Sequence, residues 1–441
     1  MNNWYKRKAI DTFWYYISIS ILLFSVFLYN LVAETWSIPY AKMADELIVG
    51  SLLVCSALVL LSGKKIFLYL EEKIILTLVL GLIFIGLVSS VVNRYQGISP
   101  VIMDLVIFLK PFGVYFSARI LLQNFNLECF YKKHKKILTT TLFILVALVS
   151  IQYILEVFPW HGERHGIMTL KLYFTHPSRF AYAVAFIFIL LYPFLIRSSS
   201  GRAILLLILC IGLLSTRYKY YGFVAVAIFS LFYLRNQKII KVSNYFMPVL
   251  VLVAIVVFIS YEQISFYFSP KAYELGYARV VLSVTSAFIA NDHFPLGGGF
   301  STFASHYSDV YYSPLYEKYN ISTVYGLSEN APVSLIADAF WAMILGQFGY
   351  IGFVMYTLVF ALYLRLFIGF FNKLGPSFVK DFVFSGILVL VLLIVESSSD
   401  STITQSRGIA AFLLLAVVVS TARASMACFR MNDHQSQSQS I

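Results

Sequence analysis

The residues able to do chemistry in this sequence are few, because only 12% of it is charged. Arg217 and Lys219 stand in a short polar break, Ser215-Thr216-Arg217-Tyr218-Lys219-Tyr220-Tyr221, inside a long apolar run from Ala203 to Leu234. Ionisable groups at membrane depth are costly and usually face a cavity or a partner. A guanidinium offers a planar fork that fits phosphate oxygens; the competing reading is a turn whose cations snorkel to headgroups. Arg279 precedes an amphipathic run, Val280 to Ala290, which leads to His293-Phe294-Pro295-Leu296-Gly297-Gly298-Gly299-Phe300. The glycine triplet frees the backbone for positive φ or for close approach to a ligand, and turn chemistry is the simpler use of it. Asp338 stands where the next apolar helix begins. It suits an N-cap first and a desolvated general base second. Lys110 precedes Pro111 inside an apolar helix, with Asp104 and Arg119 about two turns away on either side. That arrangement reads as a structural ion pair or, alternatively, as a contact to a lipid phosphate.

The elements that must position these residues are membrane helices. The chain is 60% hydrophobic, and its apolar runs recur near the length that crosses the hydrocarbon core. The expected fold is an all-α polytopic membrane protein of about twelve transmembrane helices with one large outer loop containing short helices. Helices one to nine fall in 1–260, the large loop in 261–341, helices ten to twelve in 342–423, and a disordered Gln-Ser tail in 424–441. Helix nine is placed at about Tyr245 to Ser260, and Arg164 lies in a second polar loop, Pro159 to Ser178.

The net charge of +12 follows the positive-inside rule, so it calls for no nucleic acid. The inner loops are basic: Lys64-Lys65-Lys73, Lys132 to Lys136, Arg235-Lys238-Lys241 and Lys373-Lys380. Most acids fall in outer loops, and both termini are expected in the cytoplasm. The parity closes only if the Ser215 to Tyr221 turn faces outward, which sets Arg217 and Lys219 against the charge bias and gives an anionic ligand a reason to be there. The four cysteines avoid the large loop, so no structural disulfide or metal cluster is expected. His293, His306, Glu317 and Glu329 have no metal-ligand spacing, and no Walker loop, nucleophile elbow or HExxH pair occurs. The loop tyrosines, Tyr307, Tyr311, Tyr312, Tyr316, Tyr319 and Tyr325, suit sugar rings and equally an interfacial aromatic belt.

Taken together, an Arg after Leu-Ser-Thr in a broken helix, a large outer loop opening on Arg279, His293 to Phe300, and Gln347-Phe348-Gly349-Tyr350-Ile351-Gly352 resemble the O-antigen polymerase (Wzy-type) and O-antigen ligase superfamily of bacterial inner membranes. At residue level the resemblance is confined to about Ser215–Gly222 and Arg279–Gly352. It implies metal-independent, inverting glycosyl transfer from an undecaprenyl-diphosphate-linked oligosaccharide at the periplasmic face, with no cofactor. The partners it implies are membrane lipid and the flippase and chain-length regulator of the same pathway. It implies that Arg217 and Arg279 engage the donor diphosphate; Lys219, Lys110 and Arg164 are candidate substrate-binding cations on their position and charge alone. Ligases of the superfamily usually carry His-Asn eleven residues before the first Gly of the Gly-x-x-Gly ending; here that position is Asp338, followed by Ala339. The departure favours a polymerase over a ligase and leaves the base open among Asp338, His306 and Glu329. A lipid-linked glycan flippase is the reading from a different class; it should spread charge through many helices and have short loops.

Overall fold

The computed structural model describes residues 14, 16–36, 43–63, 65–122, 128–164, 166–232, 265 and 269–438. The chain is an all-α membrane protein: among the described residues, eight helices are long and apolar enough to span a bilayer. They are α2 (Ala44–Leu61), α3 (Leu70–Asn93), α4 (Ile98–Leu121), α5 (Glu128–Leu155), α6 (Pro177–Leu195), α13 (Phe340–Lys373), α14 (Phe378–Ser397) and α15 (Ser406–Ser438). Three apolar helices are shorter: α1 (Tyr16–Leu28), α7 (Ser199–Leu213) and α8 (Tyr218–Phe232). The expected helix nine and the basic residues Arg235, Lys238 and Lys241 lie outside the described residues. The tail expected to be disordered is instead helical through Ser438. Between Ser406 and that point only Gly408, in the first turn, is a breaker, so the hydrogen-bond ladder of α15 continues past the apolar residues.

Helix α6 is the axis. Every side chain from Phe180 to Tyr192 is buried, as a helix apolar all round must be. It packs against α7 and α14, and α14 packs in turn against α13 and α15. On the other side, α15 packs on α4, α4 on α2, and α3 on α13.

One end of this bundle is closed by ion pairs. Arg119 Nε meets Glu72 at 2.6 Å, both side chains fully buried, and Arg119 Nη1 donates to Ser420 Oγ at 2.7 Å. Arg197 pairs with Asp381 at 2.5 Å, and the Arg423 guanidinium lies 4.3 Å from the Phe67 ring centre. Lys65, Lys73, Arg202 and Lys373 occupy the helix ends on the same side.

The opposite end carries the long connections. Residues 156–176 form a loop with a two-stranded hairpin, β1 (Glu163–Arg164) and β2 (Ile167–Met168). The large loop holds α9 (Pro270–Glu274), α10 (Ala278–Asp292), α11 (His306–Val310), α12 (Leu315–Lys318) and a 3-10 turn at Ile336–Asp338. The glycine triplet fixes this loop to the bundle. Gly298 N donates to Gly346 O at 2.8 Å and Gly299 N to Gln347 O at 2.9 Å, where α13 kinks at Gly349. Ser89 and Asn93 of α3 donate to Gly297 O. The Asp104 carboxylate, inside α4, accepts from Ser301 N at 2.7 Å and Gln347 Nε2 at 3.0 Å. A Cβ at Gly297 would fall 2.4 Å from Gly349 N. The triplet is therefore a backbone joint between loop and helix, in keeping with turn chemistry rather than a ligand cradle.

Candidate functional site

The break between α7 and α8 is built as a socket. Gly212 leaves room for the Tyr220 ring, whose hydroxyl donates to Leu209 O at 3.2 Å. The 156–176 loop clamps the break from above: Leu170 N donates to Leu214 O at 2.9 Å, and the Thr169 and Thr216 hydroxyls bond at 2.7 Å. Thr216 has a φ of 49°, an unusual conformation for a β-branched residue. It sets the direction of the next residue, Arg217.

The Nε and Nη2 of Arg217 are buried, and among the described residues nothing accepts a hydrogen bond from either. Burial, with the charges of Arg164 and Arg279 adding to it, pushes the guanidinium down to about 10. Two imidazoles lie in the same field. The rings of His161 and His176 meet edge to face at 5.0 Å between centres. His176 Nδ1 accepts from Ser178 N at 3.2 Å and so caps α6. Burial and then Arg217 hold His176 down to about 3, and burial and Arg217 also lower His161. Both shifts favour the neutral imidazole.

Arg279 sits in the first turn of α10, where the helix dipole is positive and a cation is misplaced unless an anion joins it. Its Nη2 donates to Asp338 Oδ2 at 2.8 Å, with both side chains about one-third exposed or slightly more. Asp338 is not the N-cap of α13: that position is Ala339, and the Asp338 carboxylate turns to Arg279 instead. Burial raises the Asp338 carboxyl, Arg279 partly offsets this, and Asp400 adds to the rise. Ser401 donates to Ala337 O and Trp341 Nε1 to Ser397 Oγ, fixing the 3-10 turn against the α14–α15 connection.

That connection supplies charges the sequence reading did not place in a site. Lys219 Nζ lies 2.6 Å from Glu396 Oε2, a carboxylate almost fully buried at the end of α14. Asp400 accepts from Arg407 Nη2 at 2.7 Å, and the Arg407 guanidinium sits over the Tyr182 ring. Burial pushes Asp400 up, but Arg407 and Lys219 outweigh it and hold the carboxyl well below its usual range. Their signal in the sequence was three charges, Glu396, Asp400 and Arg407, confined to a short link between two apolar helices.

The structure thus gathers Arg217, Lys219, Arg279, Arg164 and Asp338 at one end of the bundle. Lys110 is elsewhere. It pairs with Asp45 Oδ2 at 2.9 Å and with Glu46, both on α2, and with neither Asp104 nor Arg119. Six and nine residues along a helix are rotations of about 120° and 180° away from Lys110, so those groups point to other neighbours. His306 opens α11 on the Lys110 side, where burial lowers its imidazole and Asp309, Lys110 and Glu46 are the charges around it. Glu329 is exposed in the outer loop. Tyr316 is fully buried, bonded to Ala304 N and Ser308, whereas Tyr325 is 71% exposed.

Fold and site together define a multi-pass α-helical membrane protein with a cationic, anion-receptive cluster at one end. Among known proteins, no family model matches the chain and no curated protein matches it.

Proposed function

We propose that this protein is a polysaccharide polymerase of an O-antigen, capsule or exopolysaccharide pathway. It would transfer a growing glycan from undecaprenyl diphosphate to the sugar of a new lipid-linked repeat unit. The observation that carries the reading is Arg217, a half-buried guanidinium whose Nε and Nη2 are buried with no acceptor among the described residues, and with Arg279 and Arg164 in its field. Such a group is satisfied by an anion, and a diphosphate at membrane depth is the anion that this placement fits.

In the proposed orientation, about twelve helices span the bacterial inner membrane with both termini in the cytoplasm and the site in the periplasm. The cations at the Arg197 end support it. The acceptor hydroxyl attacks the anomeric carbon as the bond to the diphosphate oxygen breaks with its electron pair. Asp338 takes the hydroxyl proton, and Arg217 and Arg279 stabilise the charge developing on the leaving diphosphate. Asp338 fits the base better than His306 or Glu329 because it alone of the three touches an arginine of the cluster. The donor is already activated, so the chemistry calls for no nucleotide sugar. The flippase that delivers the repeat unit and a chain-length regulator are the proposed partners.

The test is a gel ladder of surface polysaccharide from a deletion strain. A single repeat unit on core in the deletion, with the ladder restored by wild type and not by Arg217→Ala, is the expected result. Bare core with long lipid-linked polymer would instead make the protein a ligase. Full rescue by Arg217→Ala would remove the site.

A further inference from the structure

The cations of this site are not equally available. Lys219 is held by Glu396, and Arg407 by Asp400. Arg217 has no acceptor for Nε and Nη2 among the described residues. Arg279 is intermediate: among the described residues its side-chain partner is Asp338, and the pair is partly open to solvent. On the other side, Asp338 does not cap the following helix, and among the described residues Arg279 is the donor to its carboxylate. The turn that carries Asp338 is fixed independently, by Ser401 on Ala337 O, and does not depend on the ion pair.

Building on the polymerase reading, we infer that the Arg279–Asp338 pair is an exchange switch: the donor diphosphate displaces the Asp338 carboxylate from Arg279, and that displacement creates the catalytic base. In the empty site Arg279 hydrogen-bonds one oxygen of Asp338 and offsets part of the rise that burial causes, which makes the carboxylate a weaker proton acceptor than it would be without its partner. A diphosphate carries more charge than a carboxylate and offers oxygens to both Arg279 and Arg217, so it takes the guanidinium. The freed carboxylate is left half-buried beside Asp400, with the new anion nearby, and each of these favours its protonation. Proton affinity at Asp338 therefore rises when donor binds. With no donor, the base stays masked. In the transfer step the acceptor oxygen forms its bond to the anomeric carbon, the diphosphate leaves with the electron pair of the broken bond, and the hydroxyl proton comes to rest on Asp338. Leaving diphosphate releases Arg279, which returns to Asp338 and expels the proton to water.

The exchange makes Asp338 a competitor of the substrate. Removing its charge should strengthen diphosphate binding while stopping transfer, which no purely structural ion pair would do. The probe is farnesyl diphosphate, a short polyprenyl diphosphate, titrated into the full chain in nanodiscs, with thermal stability recorded for each variant. Asp338→Asn should bind roughly two- to fivefold more tightly than wild type, the effect of releasing a half-exposed ion pair. Asp338→Ala should move the same way, which guards against a new Asn–Arg contact. Arg279→Ala should bind at least about tenfold more weakly. In the Arg279→Ala background, Asp338→Asn should change affinity by less than about twofold, the non-additivity of a coupled pair. Wild-type binding that is unchanged or weakened in both Asp338 variants overturns the exchange and leaves the diphosphate site standing. No binding to wild type or to any variant overturns the diphosphate site, and the exchange falls with it.

Discussion

Replacing Arg217 by leucine should make the folded protein slightly more stable and abolish its product. In the free protein the guanidinium is a liability: burial and two neighbouring cations push it down to about 10. At about 1.4 kcal/mol per pKa unit this corresponds to roughly 3 kcal/mol. Water reaching the half-buried group reduces the figure to roughly 1–2 kcal/mol. The two unaccepted nitrogens act in the same direction. The sign follows from linkage. The folded state disfavours the charged form, so the penalty is present in full at neutral pH and fades only as pH rises through about 10. For a chain of this size the gain is about 1–2 °C in Tm, read by a thermal shift in detergent at pH 7. The same variant should give no polymer ladder, and Arg217→Lys should restore at most a small part of it, because an ammonium lacks the fork. A Tm lowered by several degrees in Arg217→Leu would refute the reasoning, since it would mean that Arg217 already holds a stabilising partner.

Further predictions concern the frame and the base. Gly349→Ala puts a Cβ 2.5 Å from Pro295 O at a φ of 63°, so it should cost roughly 2–4 kcal/mol and lower both expression and Tm. Lys110→Met leaves the buried Asp45, and the partly exposed Glu46 beside it, without their cation and should cost about 3–5 kcal/mol. Adding Asp45→Asn should recover part of that loss, whereas a substrate-binding Lys110 would give a stable protein with a shortened ladder. Transfer by wild type should fall on acidification with a midpoint above the ordinary carboxyl value of 3.8, because the base must be unprotonated and burial raises Asp338. A flat acid limb down to that value, measured on purified lipid-linked repeat units, would count against Asp338 as the base.

The features readable from the sequence were those set by long-range composition. Apolar runs gave the spans, and the parity of those spans put Arg217 and Lys219, against the charge bias, at the same end as the large loop, where the structure has them beside Arg279 and Asp338. Two readings failed because they relied on neighbours in the chain. Lys110 was weighed against Asp104 and Arg119 on its own helix, yet its partners arrive on α2 from more than sixty residues earlier. Asp338 suited a cap by position, but an arginine fifty-nine residues away, on α10, holds the carboxylate. Glu396, Asp400 and Arg407 were legible as outer-loop charges, and their role was not, since helix packing alone brings the α14–α15 link to the broken α7–α8 pair.

The glycine joint at residues 297–299 has a consequence for how such a protein can be altered. The loop is mounted on α13 through backbone atoms, Gly298 N to Gly346 O and Gly299 N to Gln347 O, and main-chain bonds do not read the side chains further along. The stretch from about residue 306 to residue 335 therefore behaves as a cartridge in a fixed bracket. On the polymerase proposal, its surface, including the exposed Tyr311 and Tyr325, is the part to exchange for a different glycan while the charged cluster beneath keeps its alignment.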